Sequence, residues 1–135
     1  MRLSGNPVMD LIIYRIRAME EEHWLEAIVL THMFVETQLR IATGLSLVRD
    51  KRNPPREEKV IEIAKQALKQ NIINNQLFRK IDMFNTARND AAHNLALGII
   101  AYDQLEPIAK QSDDLMSELQ RLYVHIEIGP EQKIN

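Results

Sequence analysis

Cysteine is absent from the 135-residue sequence. That excludes a disulfide framework, a thiol nucleophile and any zinc site built on thiolates, and it fits a reducing cytoplasm. Glycine (4 residues), proline (5) and aromatic residues (5%) are sparse. No alternating Val/Ile/Thr/Tyr run extends beyond a few residues, so there is little material for strands and tight hairpins. The near-apolar stretches Ala27–Leu30 and Leu95–Ala101 fall far short of the ~20 residues of a membrane span. The opening Met1–Pro7 lacks the apolar core of a signal peptide. Neither sign of charge dominates: the net charge is −2, so a nucleic-acid contact has to be a local basic patch and not a field of the whole molecule. These absences predict a soluble, cytoplasmic single domain over residues 1–135, without membrane segments or internal repeats.

What is present is apolar periodicity at helical spacing. The first helix is expected from Pro7, a favoured first-turn residue, to about Glu21, with Val8, Leu11, Ile12 and Ile16 facing inward. Glu20–Glu22 either ends it or opens the next. The second, His23–Val48, is apolar over most of its circumference: Trp24, Ile28, Val35, Leu39 and Ala42 form one stripe, and Leu25, Leu30, Met33 and Phe34 lie outside it. Such a helix is buried on several sides and is expected at the centre. Arg49–Pro55 reads as a loop, because two adjacent prolines break a helix. A third helix follows over Arg56–Gln70 with Val60, Ile63, Ala64 and Ala67 inward, then a turn at Asn71–Asn75. A fourth helix is expected over Asn75–Leu95, an interruption at Gly98, and a fifth over Tyr102–Ile126 with Leu105, Ile108, Leu115, Leu119 and Leu122 inward. The tail 129–135, opened by Gly129 and Pro130, is expected to fray, leaving a core of about 7–126. The predicted fold class is all-α, an antiparallel bundle of about five helices.

Function has to come from particular residues, since a helical bundle implies none. On the fourth helix Leu77, Ile81, Phe84, Ala91 and Leu95 form a stripe at i, +4, +7, +14 and +18. The position at +11 is Arg88. A guanidinium projecting from an apolar face is costly unless it is paired or lines a polar cleft. His93 follows five residues on, with Asn89 and Asp90 on its own helical side. Histidine titrates near neutral pH and serves as base or acid, and arginine is a fixed bidentate clamp for phosphate oxygens. Together they can move the 2′-hydroxyl proton of RNA and hold the charge on the phosphorus. Asn89 can orient His93 or a phosphate.

The run Asn85–Leu95 resembles the Arg-x(4–6)-His signature of the HEPN superfamily, including the polar residue that commonly follows its arginine. Glu36–Arg40 on an apolar second helix and a long last helix ending in Leu122 and Tyr123 are also similar to that family's layout, over about Trp24–Tyr123. The resemblance implies a helical homodimer in which Arg88 and His93 meet in a cleft between protomers. It further implies an RNA substrate, no cofactor or metal, a 2′,3′-cyclic phosphate product, and a role as a toxin with an antitoxin partner, in defence or in RNA processing. A non-catalytic module that uses the same cleft to bind a nucleotide, RNA or a protein is the alternative within the family. Some HEPN toxins carry tyrosine two residues after the histidine, where a partner nucleotidyltransferase modifies it; Leu95 occupies that position here, so that modification and that partner are not implied.

Other features have plainer readings. Arg88 can pair with Glu36 of the second helix, and Glu36 can form an i,i+4 pair with Arg40. Glu20 and His23 have the Glu-x-x-His spacing of di-iron bundles, Asp90 and His93 share it, and Glu36 and Glu62 are conceivable bridging carboxylates. The Glu20–His23 run nonetheless reads as a solvated acidic turn, and no metal site is expected. His32 and Met33 read as core neighbours, and His125 as a surface residue. Arg79 and Lys80, and Arg49, Lys51, Arg52 and Arg56 around the proline loop, are the basic groups available to RNA outside the cleft.

Overall fold

A computed structural model describes residues 7–45 and 59–128, with side chains over 8–45 and 59–122. These residues form α1 (Pro7–Glu20), α2 (Trp24–Thr43), α3 (Val60–Lys69), α4 (Asn75–Ala96), a 3-10 turn (Tyr102–Leu105) and α5 (Glu106–Ile128). No strand occurs among them. None of the described helices is long and apolar enough to cross a membrane. The double-proline loop with Arg49, Lys51, Arg52 and Arg56, and the tail 129–135, lie outside the described residues, as does the side chain of His125.

The first four helices are closed by one device. Each is followed by a residue of positive φ: Glu22 (60°), Gly44 (76°), Asn71 (60°) and Gly98 (72°). The next N–H then turns back to the last helical turn, from His23 to Ala18 O (2.8 Å), Leu45 to Arg40 O (2.8 Å), Ile72 to Ala67 O (2.9 Å) and Ile99 to Asn94 O (2.8 Å). This six-to-one bond caps carbonyls that would otherwise lack a partner. Glycine takes the left-handed conformation without cost, whereas Glu22 bears about 1–2 kcal/mol of Cβ crowding. The device corrects one expected boundary. The second helix stops at Thr43 and not at Val48, because Gly44 reverses the backbone there.

α2 packs against α1, α3, α4, α5 and the 3-10 turn, and α4 lies against α3 and α5. Short links of three residues between α1 and α2, and five between α3 and α4, make each pair antiparallel. Trp24, Ile28, Val35, Leu39 and Phe34 of α2 are buried, with Ile63, Ala64 and Ala67 of α3, Leu77, Ile81 and Phe84 of α4, and Leu105, Leu115 and Leu119. The expected stripes of α3 and α4 therefore face the core.

Two inward assignments need correction. On α1 it is Arg15 that is buried, while Ile16 is exposed. The inner face runs Val8, Leu11, Ile12, Arg15 and Ala18, and Arg15 lies seven residues, two helical turns, from Val8. On α2 the all-round apolar surface is not covered on all sides, since Leu25, Val29 and Met33 stay exposed along one edge.

Candidate functional site

α4 starts at Asn74, whose side chain accepts the N–H of Leu77 at 2.8 Å. This N-cap fixes the register of the helix, and the burial of Leu77, Ile81, Phe84 and Ala91 fixes its rotation. Arg88 falls on the same inward half. It is half-buried, and its Nε is fully buried without a hydrogen-bond partner. Leaving such a donor unpaired costs about 1–3 kcal/mol. No ion pair among the described residues includes Arg88, so none joins it to Glu36. Burial pulls the Arg88 pKa downward, yet a guanidinium stays charged at any physiological pH.

His93 is placed differently. Five residues further along the helix, it points about 140° away from Arg88 and is exposed, as are Asn89 and Asp90. The outward half of α4 that carries His93 also carries Met83 (72% exposed), and Leu97 (61%) follows at the helix end. Within one chain, Arg88 and His93 do not face a common ligand.

The histidine close to Arg88 in the chain is His32, on α2. It is half-buried, with Nδ1 fully buried and unpaired. Its pKa is lowered first by burial and then by the positive field of Arg88, against an opposing contribution from Glu36 one turn along α2. The sequence offered a signal for this residue: His32 and Glu36 are i,i+4 neighbours, so the two polar groups share one side of an otherwise apolar helix. The reading of His32 as a core neighbour took account of its apolar surroundings and not of that pairing. Met33 beside it is exposed and is no part of the core.

The remaining basic and acidic candidates divide clearly. Lys80 donates to Asp114 (2.7 Å) and Glu118 (2.6 Å) of α5; these bonds raise its pKa and leave its charge balanced on the surface. Arg79 is exposed and in no ion pair of the described residues. Beyond Lys80 a groove between α4 and α5, lined by Met83, Phe84, Ala87, Ile108 and Leu115, stops short of Arg88. His23 lies 3.5 Å from Glu21 and 3.4 Å from Glu26, all three exposed, as a solvated acidic turn would be. Among the described residues no three His, Asp or Glu side chains are gathered as a set of metal ligands.

A second arginine escaped the sequence reading. Arg15 is buried between α1, α2 and α5. Its Nε donates to Thr31 Oγ1 at 2.6 Å; its Nη2 donates to Ser112 Oγ (2.8 Å), Ala109 O (3.2 Å) and Asp113 Oδ1 (2.7 Å). Thr31 and Ser112 in turn donate to Ala27 O and Ala109 O.

Compared with protein-family models, with characterised proteins and with solved structures, the chain gives no significant match. The functional reading therefore stands on the chemistry of α4 and its neighbours.

Proposed function

We propose that this chain is a HEPN-like endoribonuclease that works as a homodimer, without metal, through Arg88 of one protomer and His93 of the other. The observation that supports it most is the isolation of Arg88, a half-buried cation with an unpaired Nε and no ion pair among the described residues. A phosphate is the ligand that such a fork fits. Because Arg88 and His93 diverge by about 140°, a two-fold axis running past α4 is the simple way to bring them onto one phosphate. The exposed Met83, Leu97 and Ile99 supply apolar surface beside that axis for a second copy to cover.

In this reading His93 takes the proton of a ribose 2′-hydroxyl. The freed oxygen attacks phosphorus, and Arg88 of the facing protomer holds the non-bridging oxygens. The bond from phosphorus to the 5′ oxygen breaks, that oxygen takes a proton from water, and His93 gives its proton back to the solvent. The products are a 2′,3′-cyclic phosphate and a 5′-hydroxyl. Asn89 and Asp90, exposed next to the site, are placed to orient the histidine, and Arg79 to meet flanking phosphates.

RNA cleavage measured in chelator tests the reading. Arg88→Ala and His93→Ala homodimers are each expected to lose about 10²–10⁴ in rate. Mixing the two chains by unfolding and reassembly restores one complete cross-chain pair, and activity should return. Homodimers of both variants that cleave like the parent sink the assignment. So does a chain that light scattering finds monomeric at micromolar concentration. A second reading, a non-catalytic module that binds RNA or a nucleotide through the same groups, is favoured if the protein binds RNA at Arg88 but never cleaves it.

A further inference from the structure

We infer that His32 is a positioning residue for Arg88, its neutral imidazole presenting Nδ1 as the acceptor for the Arg88 Nε–H, so that protonating His32 releases the guanidinium. The inference starts from a coincidence of two defects. His32 Nδ1 and Arg88 Nε are both fully buried without a hydrogen-bond partner. They sit on α2 and α4, which are in contact, and Arg88 is one of two charged groups among the described residues whose field reaches the His32 ring.

The two atoms are chemically complementary. The Nε of arginine is always a donor, and Nδ1 of a neutral imidazole is an acceptor when the ring proton sits on Nε2. Buried polar atoms are almost always paired in native proteins. Among the three orphaned atoms of the described residues Arg88 Nε is the donor; of the two acceptors on α2, Gln38 Oε1 belongs to an amide bonded to Leu119 O of α5, which leaves His32 Nδ1 as its partner. The two atoms do not bond each other in the structure; the inferred bond requires a rotation of the long arginine stem or of the ring. Glu36 is the rival acceptor, but it forms no ion pair with Arg88.

The consequence is directional. Using Nε on His32 leaves the Nη edge of Arg88 as the free face of the fork. In the neutral ring the bond stands. A proton on Nδ1 turns the acceptor into a donor and puts two positive groups side by side. The charged groups acting on the ring are Arg88 from α4, which disfavours that proton, and Glu36 from its own helix, which favours it; no group of α1, α3 or α5 contributes among the described residues. His32 is thus held neutral near pH 7 and gives way on acidification.

The effect on cleavage rests on the proposed nuclease reading, but the coupling itself is a property of the folded chain and is measured without RNA. Nitrogen-15 NMR of the whole protein reports both atoms. The expected result is an unprotonated Nδ1 at pH 7.5, and an Arg88 Nε–H that exchanges with solvent at least about 10-fold more slowly than that of exposed Arg79, as a hydrogen bond of ordinary strength gives. Protection should vanish as His32 titrates and be absent at every pH in His32→Leu. It should return without the pH response in His32→Asn, whose amide oxygen lies near the place of Nδ1. A neutral ring with its proton on Nδ1, or equal protection in His32→Leu, overturns the inference. If wild-type protein shows the coupling but cleaves no RNA, the nuclease reading falls and this one stands. If it cleaves through Arg88 and shows no coupling, the reverse holds. In an active enzyme His32→Leu should raise KM for RNA about 10-fold with kcat changed less, the signature of a lost binding orientation.

Discussion

Arg15 and Arg88 both reach into the interior of this bundle, and they are treated in opposite ways. Arg15 is 6% exposed and has four acceptors from two other helices, one of them the carboxylate of Asp113. Arg88 is half-buried, with an orphaned Nε and no ion pair among the described residues, and its field falls on His32. A cation whose hydrogen bonds are satisfied holds a fold together. One left unsatisfied at the edge of a core lowers stability, and its retention calls for a reason outside folding. The contrast gives Arg15 to the architecture and makes Arg88 the residue on which the proposed site rests.

The comparison is sharpest where activity and stability are measured on the same variants. The largest effect expected is on catalysis: Arg88→Ala should lose about 10²–10⁴ in RNA cleavage with an unchanged thermal midpoint, and an active Arg88→Ala protein would break the distinction. Next comes Arg15→Ala, expected to destabilise by about 3 kcal/mol in chemical denaturation, because it empties volume in the core and strands Thr31, Ser112 and the Ala109 carbonyl with fewer partners. A loss below ~1 kcal/mol would mean that Arg15 contributes no more than a surface pair does.

A smaller effect of opposite sign separates the two sites further. Arg88→Met keeps the length and apolar stem but removes a half-buried charge that has no ion pair among the described residues, so it should stabilise the fold by about 1 kcal/mol while abolishing cleavage. Arg15→Met should destabilise it. Equal shifts of the same sign would erase the contrast.

The smallest effect is a slope with pH. The pKa of His32 lies below the ordinary histidine value of 6.5, so on acidification the unfolded chain takes up this proton before the folded one. The stabilisation linked to neutral His32 is complete above that value and is lost as pH falls through it toward the folded pKa. Denaturation midpoints of wild type should decline over that window more steeply than those of His32→Leu. Parallel curves would show that His32 titrates as it does in the unfolded chain.

Local order in this protein was legible from the chain itself. The helices over α3, α4 and α5, the inward stripe Leu77, Ile81, Phe84 and Ala91, and the anomaly of Arg88 within it all follow from 3.6-residue periodicity, a property of consecutive residues. The turn at Asn71–Asn75 and the break at Gly98 carry equally local signals. Gly44 carried one too, but the apolar sequence on both sides of it masks the helix end. Whether Arg15 or Ile16 of α1 turns inward was beyond such reasoning: both continue an apolar face, and the choice falls to Arg15 because Thr31, Ala109, Ser112 and Asp113, up to 98 residues away in sequence, gather around its guanidinium. The proximity of His32 to Arg88 is of the same kind. Periodicity states which side of a helix a residue occupies, but which residue of another helix stands opposite depends on the packing of both. Tertiary structure alone decided that Arg15 has partners and that Arg88 has a histidine.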